Sequence, residues 1–157
     1  MPINCITDSH GCLDCPDIAG NSYVPAIHSV VKGWNSGANS VDMLDGDIHT
    51  IFQIGASPGG IILGFKGNRN AQTDITQIEH GLYFTSVNGF SYVTVIESGS
   101  IVSGTSSFDA LSTFEIRRYN NFVTYFINGS VLHRSSALSY GSKIVNACLY
   151  LTGDEVV

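Results

Sequence analysis

The sequence predicts an all-β domain built as an antiparallel sandwich, and three observations lead there. Apolar and polar residues alternate with period two through the most strongly patterned stretch, Phe114 to Ser135. Phe114, Ile116 and Arg118 alternate with Glu115 and Arg117, and Val123, Tyr125 and Ile127 with Thr124, Phe126 and Asn128. Successive side chains of a strand point to opposite faces, so this pattern describes strands with one buried side. Asn-Gly pairs stand at 88–89 and 128–129, and both residues accept the positive φ that a type I′ hairpin turn requires. Finally, only 13% of the 157 residues are charged, while 17 are glycine; an average soluble domain carries about 25% charge. Low charge with much Gly, Ser, Asn and Thr serves short strands and tight turns.

The β pattern begins at Ser29. Residues 1–28 read instead as an extended arm or small irregular subdomain, because they hold three of the four cysteines, three of the four prolines and no alternation. Asp42 to Asp47 is an acidic turn whose spacing departs from the Asp-x-Asp-x-Asp-Gly calcium loop, and Asp45-Gly46 reads as a hairpin turn. Ile48, Thr50, Phe52 and Ile54 share one side of a strand. Ser57 to Gly60 turns the chain into the apolar run Ile61–Phe65, which suits a strand covered on both faces. The polar loop from Gly67 to Thr76 offers Asn68, Arg69 and Asn70 as a contact surface, since binding residues concentrate on loops held by a rigid scaffold.

His80–Ser86 and Phe90–Glu97 form a hairpin about Asn88-Gly89, and Ser98 to Ser100 turns into Ile101. Gly104 to Ser112 is a polar connection into the Phe114 hairpin, and Lys143–Leu151 is the last strand. This makes about nine or ten strands with turns every ~8–12 residues, the spacing of a sandwich.

The stretch from Phe114 to Ser135, with its Ile-x-Arg, Val-x-Tyr and Asn-Gly elements, resembles the late hairpin of concanavalin A-like jelly rolls of the laminin-G and SPRY type. Gly33-Trp34-Asn35-Ser36-Gly37-Ala38-Asn39-Ser40 is similar to an early strand of such domains, and Ala147-Cys148-Leu149-Tyr150 resembles the closing strand. The likeness spans roughly residues 29–157. It implies a jelly-roll β-sandwich for that span, to which residues 1–28 add the irregular N-terminal arm read from their composition. Domains of this kind mostly bind glycans or proteins, and a minority are glycanases.

The residues narrow the function classes. A net charge of −6 with seven basic residues disfavours nucleic acid, whose binding rests on Lys and Arg neutralising phosphates. Arg117, Arg118 and Arg134 are the only basic cluster, and strand alternation splits the first two between faces. No apolar run approaches the ~20 residues of a membrane span, and MPINCITDSHGC has no basic region followed by an apolar stretch, so neither an anchor nor a secretory leader is expected. Cys5, His10, Cys12 and Cys15 have the ligand types of a structural zinc site, with a disulfide or free thiols as the other readings.

Glycanase chemistry needs two carboxyl groups held roughly 5–10 Å apart. Here Glu79, Glu97, Asp109 and Glu115 are scattered, and the histidines at 10, 28, 49, 80 and 133 are isolated and read as surface or capping residues. The expectation is a non-catalytic protein with no cofactor beyond that zinc. One reading is a virion protein, a bacteriophage capsid-decoration or tail component made in the host cytoplasm. It would dock through its N-terminal arm on other protein subunits and act as a homo-oligomer. The other is a lectin-like glycan- or receptor-binding module. In it Trp34, Tyr83, Tyr92 or Tyr119 would stack on sugar, and side chains such as Asn68, Arg69, Asn70 and Asn120 would hydrogen-bond it.

Overall fold

The computed structural model describes residues 6–7, 13–15, 27–28, 34, 36–67, 75–150 and 154–157. In chain order the strands are β1 (Ile6–Thr7), β2 (Leu13–Cys15), β3 (Ile27–His28), β4 (Ser36–Ser40), β5 (Ile48–Gln53) and β6 (Ile61–Lys66). After a 3₁₀ turn at Ile75–Gln77 come β7 (His80–Val87), β8 (Phe90–Glu97), β9 (Ser100–Ile101) and β10 (Ser106–Phe108). The chain closes with β11 (Thr113–Tyr119), β12 (Phe122–Ile127), β13 (Ser130–Leu138), β14 (Ile144–Leu149) and β15 (Glu155–Val156). Among the described residues there is no α-helix, and no helix is long and apolar enough to cross a membrane.

Tight turns set the register. Successive positive φ values occur at Asn88 (52°) and Gly89 (81°), Ser98 (47°) and Gly99 (79°), Asn120 (48°) and Asn121 (67°), and Asn128 (50°) and Gly129 (76°). Two left-handed residues in a row make a type I′ turn, whose twist matches that of the strands it joins. These turns produce two meanders, β7–β8–β9 and β11–β12–β13.

Two main sheets result. One has the order β1-β2-β4-β14-β6-β7-β8-β10, with β9 also on β8; the other has the order β13-β12-β11-β5. Every pairing is antiparallel except β2 with β4, and β15 pairs with β3. Placing β14 between β4 and β6, and β5 beside β11, requires the chain to cross between sheets, as a jelly roll does. The protein is thus a jelly-roll β-sandwich of the concanavalin A-like kind.

Inward-facing residues of both sheets fill the space between them. Ile61, Leu63, Phe65, Leu82, Phe84, Val93 and Val95 meet Ile48, Phe52, Phe114, Ile116, Val123 and Tyr125. Phe84 and Phe108 each pack edge-on against Phe114, at 4.7 and 5.0 Å between centroids, an arrangement favoured by the ring quadrupoles. The apolar run in β6 is covered on both faces, as its sequence predicts. Ile61, Leu63 and Phe65 face the sandwich core, and Ile62 lies in a second cluster with Ile78, Ile96 and Cys148. Gly64 lies opposite Gly81, and a Cβ on Gly64 would sit 2.2 Å from the His80 carbonyl oxygen.

Three expectations about local structure are corrected. The connection from Gly104 to Ser112 contains β10, because its one aromatic residue, Phe108, packs into the aromatic core and draws the segment onto β8. Asp45-Gly46 does turn the chain, with φ +65° at Gly46, but it is not a hairpin: β4 and β5 belong to different sheets, and Leu44 pairs with Lys143. The strand at the C-terminal end is β15, after β14, and Val156 also bridges to Ile54.

Candidate functional site

In the four-stranded sheet the inward residues are core, and alternation decides what the other face displays. Cross-strand register arranges that face in rows. One row runs Ile51, Glu115, Phe126, Val131; the next runs His49, Arg117, Thr124, Arg134; at the end lie Tyr119, Phe122 and Leu138. Ile51 and Phe122 are each 62% exposed and Tyr119 is 67% exposed, while Val131 and Leu138 are also open to solvent. A basic row therefore lies between two apolar ones.

The middle of the face is fixed by Glu115, the only carboxylate on it among the described residues. Its Oε2 accepts from Arg117 Nη2 at 2.5 Å, from Arg117 Nε at 2.8 Å and from His49 Nε2 at 2.8 Å. Because His49 Nε2 donates to Glu115, its 3.2 Å approach to Arg117 Nε is a packing contact and not a second hydrogen bond. Burial pushes the Glu115 carboxyl up, but hydrogen bonds from His49 and Arg117 outweigh it and hold the group below the usual carboxylate range. The Arg117 guanidinium in turn lies 4.5 Å over the Phe126 ring, a cation–π contact. Lys66, Arg118 and Lys143 are buried, so the exposed described guanidinium and ammonium groups, Arg117 and Arg134, both lie in one row of this face.

Beneath the Tyr119 end, Arg118 points inward, opposite to Arg117 as alternation requires. It is 2% exposed and donates from Nε to Gly46 O (2.7 Å) and from Nη1 to Gly141 O (2.6 Å) and Ser139 Oγ (3.4 Å). Arg118 thus ties together the loops that close this end of the sandwich. Nearby, Tyr125 donates to Glu97 Oε1 at 2.8 Å, and burial and that carboxylate raise the phenol far above its ordinary pKa.

The expectation that the histidines are isolated surface or capping residues fails twice. His49 belongs to the Glu115 cluster. His80 is 3% exposed, in phase with the core residues Leu82 and Phe84, and neither ring nitrogen has a hydrogen-bond partner. Strand alternation overrides polarity there. Burial lowers its pKa, against the pull of Glu97 and Glu79.

The sequence-predicted binding residues are not brought together. Tyr119 and Asn120 lie at the β11–β12 turn on the margin of the exposed face, where the Asn120 amide donates to Asp47 Oδ1 at 2.9 Å. Trp34 is half-buried on the far side of the molecule, 5.2 Å from Tyr150 and 6.1 Å from Tyr83, packed on the outward surface of the larger sheet. Asn68, Arg69 and Asn70 lie outside the described residues. So do Cys5, His10 and Cys12 of the zinc expectation; the Cys15 backbone pairs with Ser40. Among the described residues no group of three or more His, Cys, Asp or Glu side chains could hold a metal ion. Ile51, Phe126 and Val131 were missed as surface residues. The signal for two of them was present, since Ile51 and Phe126 are apolar on the polar phase of their strands.

No family model and no curated protein matches the chain. Among solved structures it is similar to the TRIM65 PSpry domain, at TM-score 0.51 and 11% identity over 80% of this chain and 70% of that one. It also aligns with the carbohydrate-binding module CBM66 from Bacillus subtilis, at TM-score 0.45 and 11% identity over 99% and 88% of the two chains. A Bacillus licheniformis beta-glucanase aligns at TM-score 0.45 and 11% identity, over 83% and 72%. At such identity the likeness to the PSpry domain shows the fold alone.

Proposed function

We propose that this chain is a non-catalytic assembly module that docks on protein through the outward face of β5, β11, β12 and β13. The observation that carries the reading is the contiguous display of Ile51, Phe126 and Val131 on one side, and Tyr119, Phe122 and Leu138 on the other, of a pinned guanidinium. Contiguous exposed apolar surface marks interaction sites, and aromatic and Arg side chains dominate interface energetics. A side chain already fixed, as Arg117 is by Glu115 and Phe126, loses little freedom on binding. Among the described residues Glu115 has no second carboxylate beside it on this face, and its Oε2 is occupied by three donors, which supports binding over glycoside hydrolysis.

This reading puts docking on the sheet face. The expectation that residues 1–28 dock falls on residues most of which lie outside those described; of those described, β2 and β3 pair with β4 and β15 of the same chain. A virion setting belongs to the same proposal. The test is a photo-crosslinking side chain placed at position 126 or, as a control, at Leu111, which is 83% exposed elsewhere. Protein adducts from 126 and not from 111, in cells or particles that carry the chain, are the expected result. Equal adducts from both positions, or none from 126, would remove the face from consideration.

Glycan recognition is the second reading, favoured by Tyr119 and Phe122 standing side by side and exposed across their turn. Carbohydrate binding that falls on Tyr119→Ala, with melting temperature unchanged, supports it; binding that survives both Tyr119→Ala and Phe122→Ala counts against it.

A further inference from the structure

We infer that the partner on this face is a second copy of the same chain, whose acidic loop 42–47 seats on the row of Arg117 and Arg134. The inference rests on the proposed reading of the face and goes further by naming the occupant. The loop presents Asp42, Asp45 and Asp47, all exposed, with Met43 exposed among them. It is held in shape from behind. Leu44 exchanges two backbone hydrogen bonds with Lys143 (2.6 and 2.9 Å), the Gly46 carbonyl accepts from Arg118, and Asp45 accepts from the Ser142 hydroxyl. Its carboxylates are therefore presented with little entropy left to lose.

Charge supports this occupant. The chain carries −6 overall, so a copy approaching at random is repelled, and the exposed described Arg groups offer it a favourable landing only on this face. Within the chain, neither Arg134 nor the Asp42 carboxylate has a hydrogen bond or ion pair among the described residues. Chemistry also matches in kind. The loop sets the exposed Met43 beside the Asp42 carboxylate, and the face sets apolar rows beside a basic one, about 7 Å apart, two residues along each strand. Used reciprocally, loop on face and face on loop, the contact closes as a two-fold pair. Four strands at ~4.8 Å and seven residues at ~3.3 Å give a face of roughly 400–450 Å², about half the ~800 Å² per partner of a standard interface. The pair should therefore be concentration-dependent and salt-sensitive, not obligate.

The test is sedimentation velocity of the purified full chain from about 1 to about 500 µM, at low and high salt, with Arg134→Glu, Asp42→Lys and the two combined. The expected result is a monomer–dimer equilibrium weakened about tenfold or more by salt and by either single reversal, and restored by the double one. A chain that stays monomeric throughout, or a dimer indifferent to Asp42→Lys, overturns the inference. In either case adducts from position 126 to a different polypeptide would leave the face reading standing. A dimer indifferent to both Arg134→Glu and Phe126→Glu overturns the inference and the face reading together.

Discussion

Replacing His80 by Leu should make the protein more stable, although it removes a residue with no exposed role to lose. The side chain is 3% exposed, faces the sandwich core opposite Phe65, and has no partner for either ring nitrogen. A neutral imidazole carries one donor and one acceptor, and each buried group left unsatisfied costs about 1–3 kcal/mol. Leu is apolar like Phe65, its cross-strand partner, and Leu82, on the same face of β7, and has neither group. Allowing for imperfect repacking, the gain should be roughly 1–3 kcal/mol. At about 2–4 °C per kcal/mol for a chain of this size, that is a rise of about 2–12 °C in melting temperature.

The pH dependence follows from the direction of the shift. Burial holds His80 below its ordinary value of 6.5, outweighing the raising effects of Glu97 and Glu79, while Lys143 and Arg118 add to the lowering. Between the lowered folded value and 6.5 the unfolded chain binds more protons, so stability rises with pH in that interval. This contribution is intact above pH 6.5 and is lost as the pH falls below it. Urea melts of both proteins at pH 7, 6 and 5 should show the stability gap widening towards acid, by at most about 1.4 kcal/mol per pH unit. A His80→Leu protein less stable than the parent by more than about 1 kcal/mol at pH 7 would refute the reasoning, because it would mean that the imidazole is satisfied in its buried site.

Two further substitutions probe the packing. Gly64→Ala would place a Cβ 2.2 Å from the His80 carbonyl oxygen and 2.5 Å from Gly81 Cα, both backbone atoms, and should cost about 3 kcal/mol or more; Gly104→Ala, in open space, should be near neutral in the same denaturant melts. Arg118→Met removes the donors that hold Gly46, Ser139 and Gly141 and should cost about 2–4 kcal/mol. Amide exchange at Leu44 and Lys143 should quicken more than in β6 if Arg118 is the tie between these loops.

The fold was legible because its strongest signals are local. Alternation in Phe114–Ile127 assigns the faces correctly residue by residue, down to the opposite fates of Arg117 and Arg118. Asn88-Gly89 and Asn128-Gly129 occupy the turns expected of them, since positive φ is a property of those residue types. Signals that depend on distant chain segments were not legible. Nothing near Asp45-Gly46 says that β5 will join β11 and leave β4 in the other sheet. Likewise, nothing near His80 says that it will be buried opposite Phe65. The face was half legible. Phe126 is visibly out of phase with its strand's polarity, but only the pairing of Thr124 with Arg134 and of Arg117 with His49 turns separate residues into a basic row. Trp34 and Tyr119 drew attention as aromatics among turn residues, and sequence alone could not tell that they lie on opposite sides of the sandwich.

The most direct test of the account is hydroxyl-radical footprinting of the full chain, alone when dilute and again in its concentrated or assembled form. The account predicts that Phe122, Phe126 and Tyr119 lose reactivity on association, while Phe90 and Leu111, exposed on other surfaces, keep theirs. Protection of Phe90 or Leu111 with Phe126 unchanged would contradict it, and would place the working surface of this sandwich somewhere other than the outward face of β5, β11, β12 and β13.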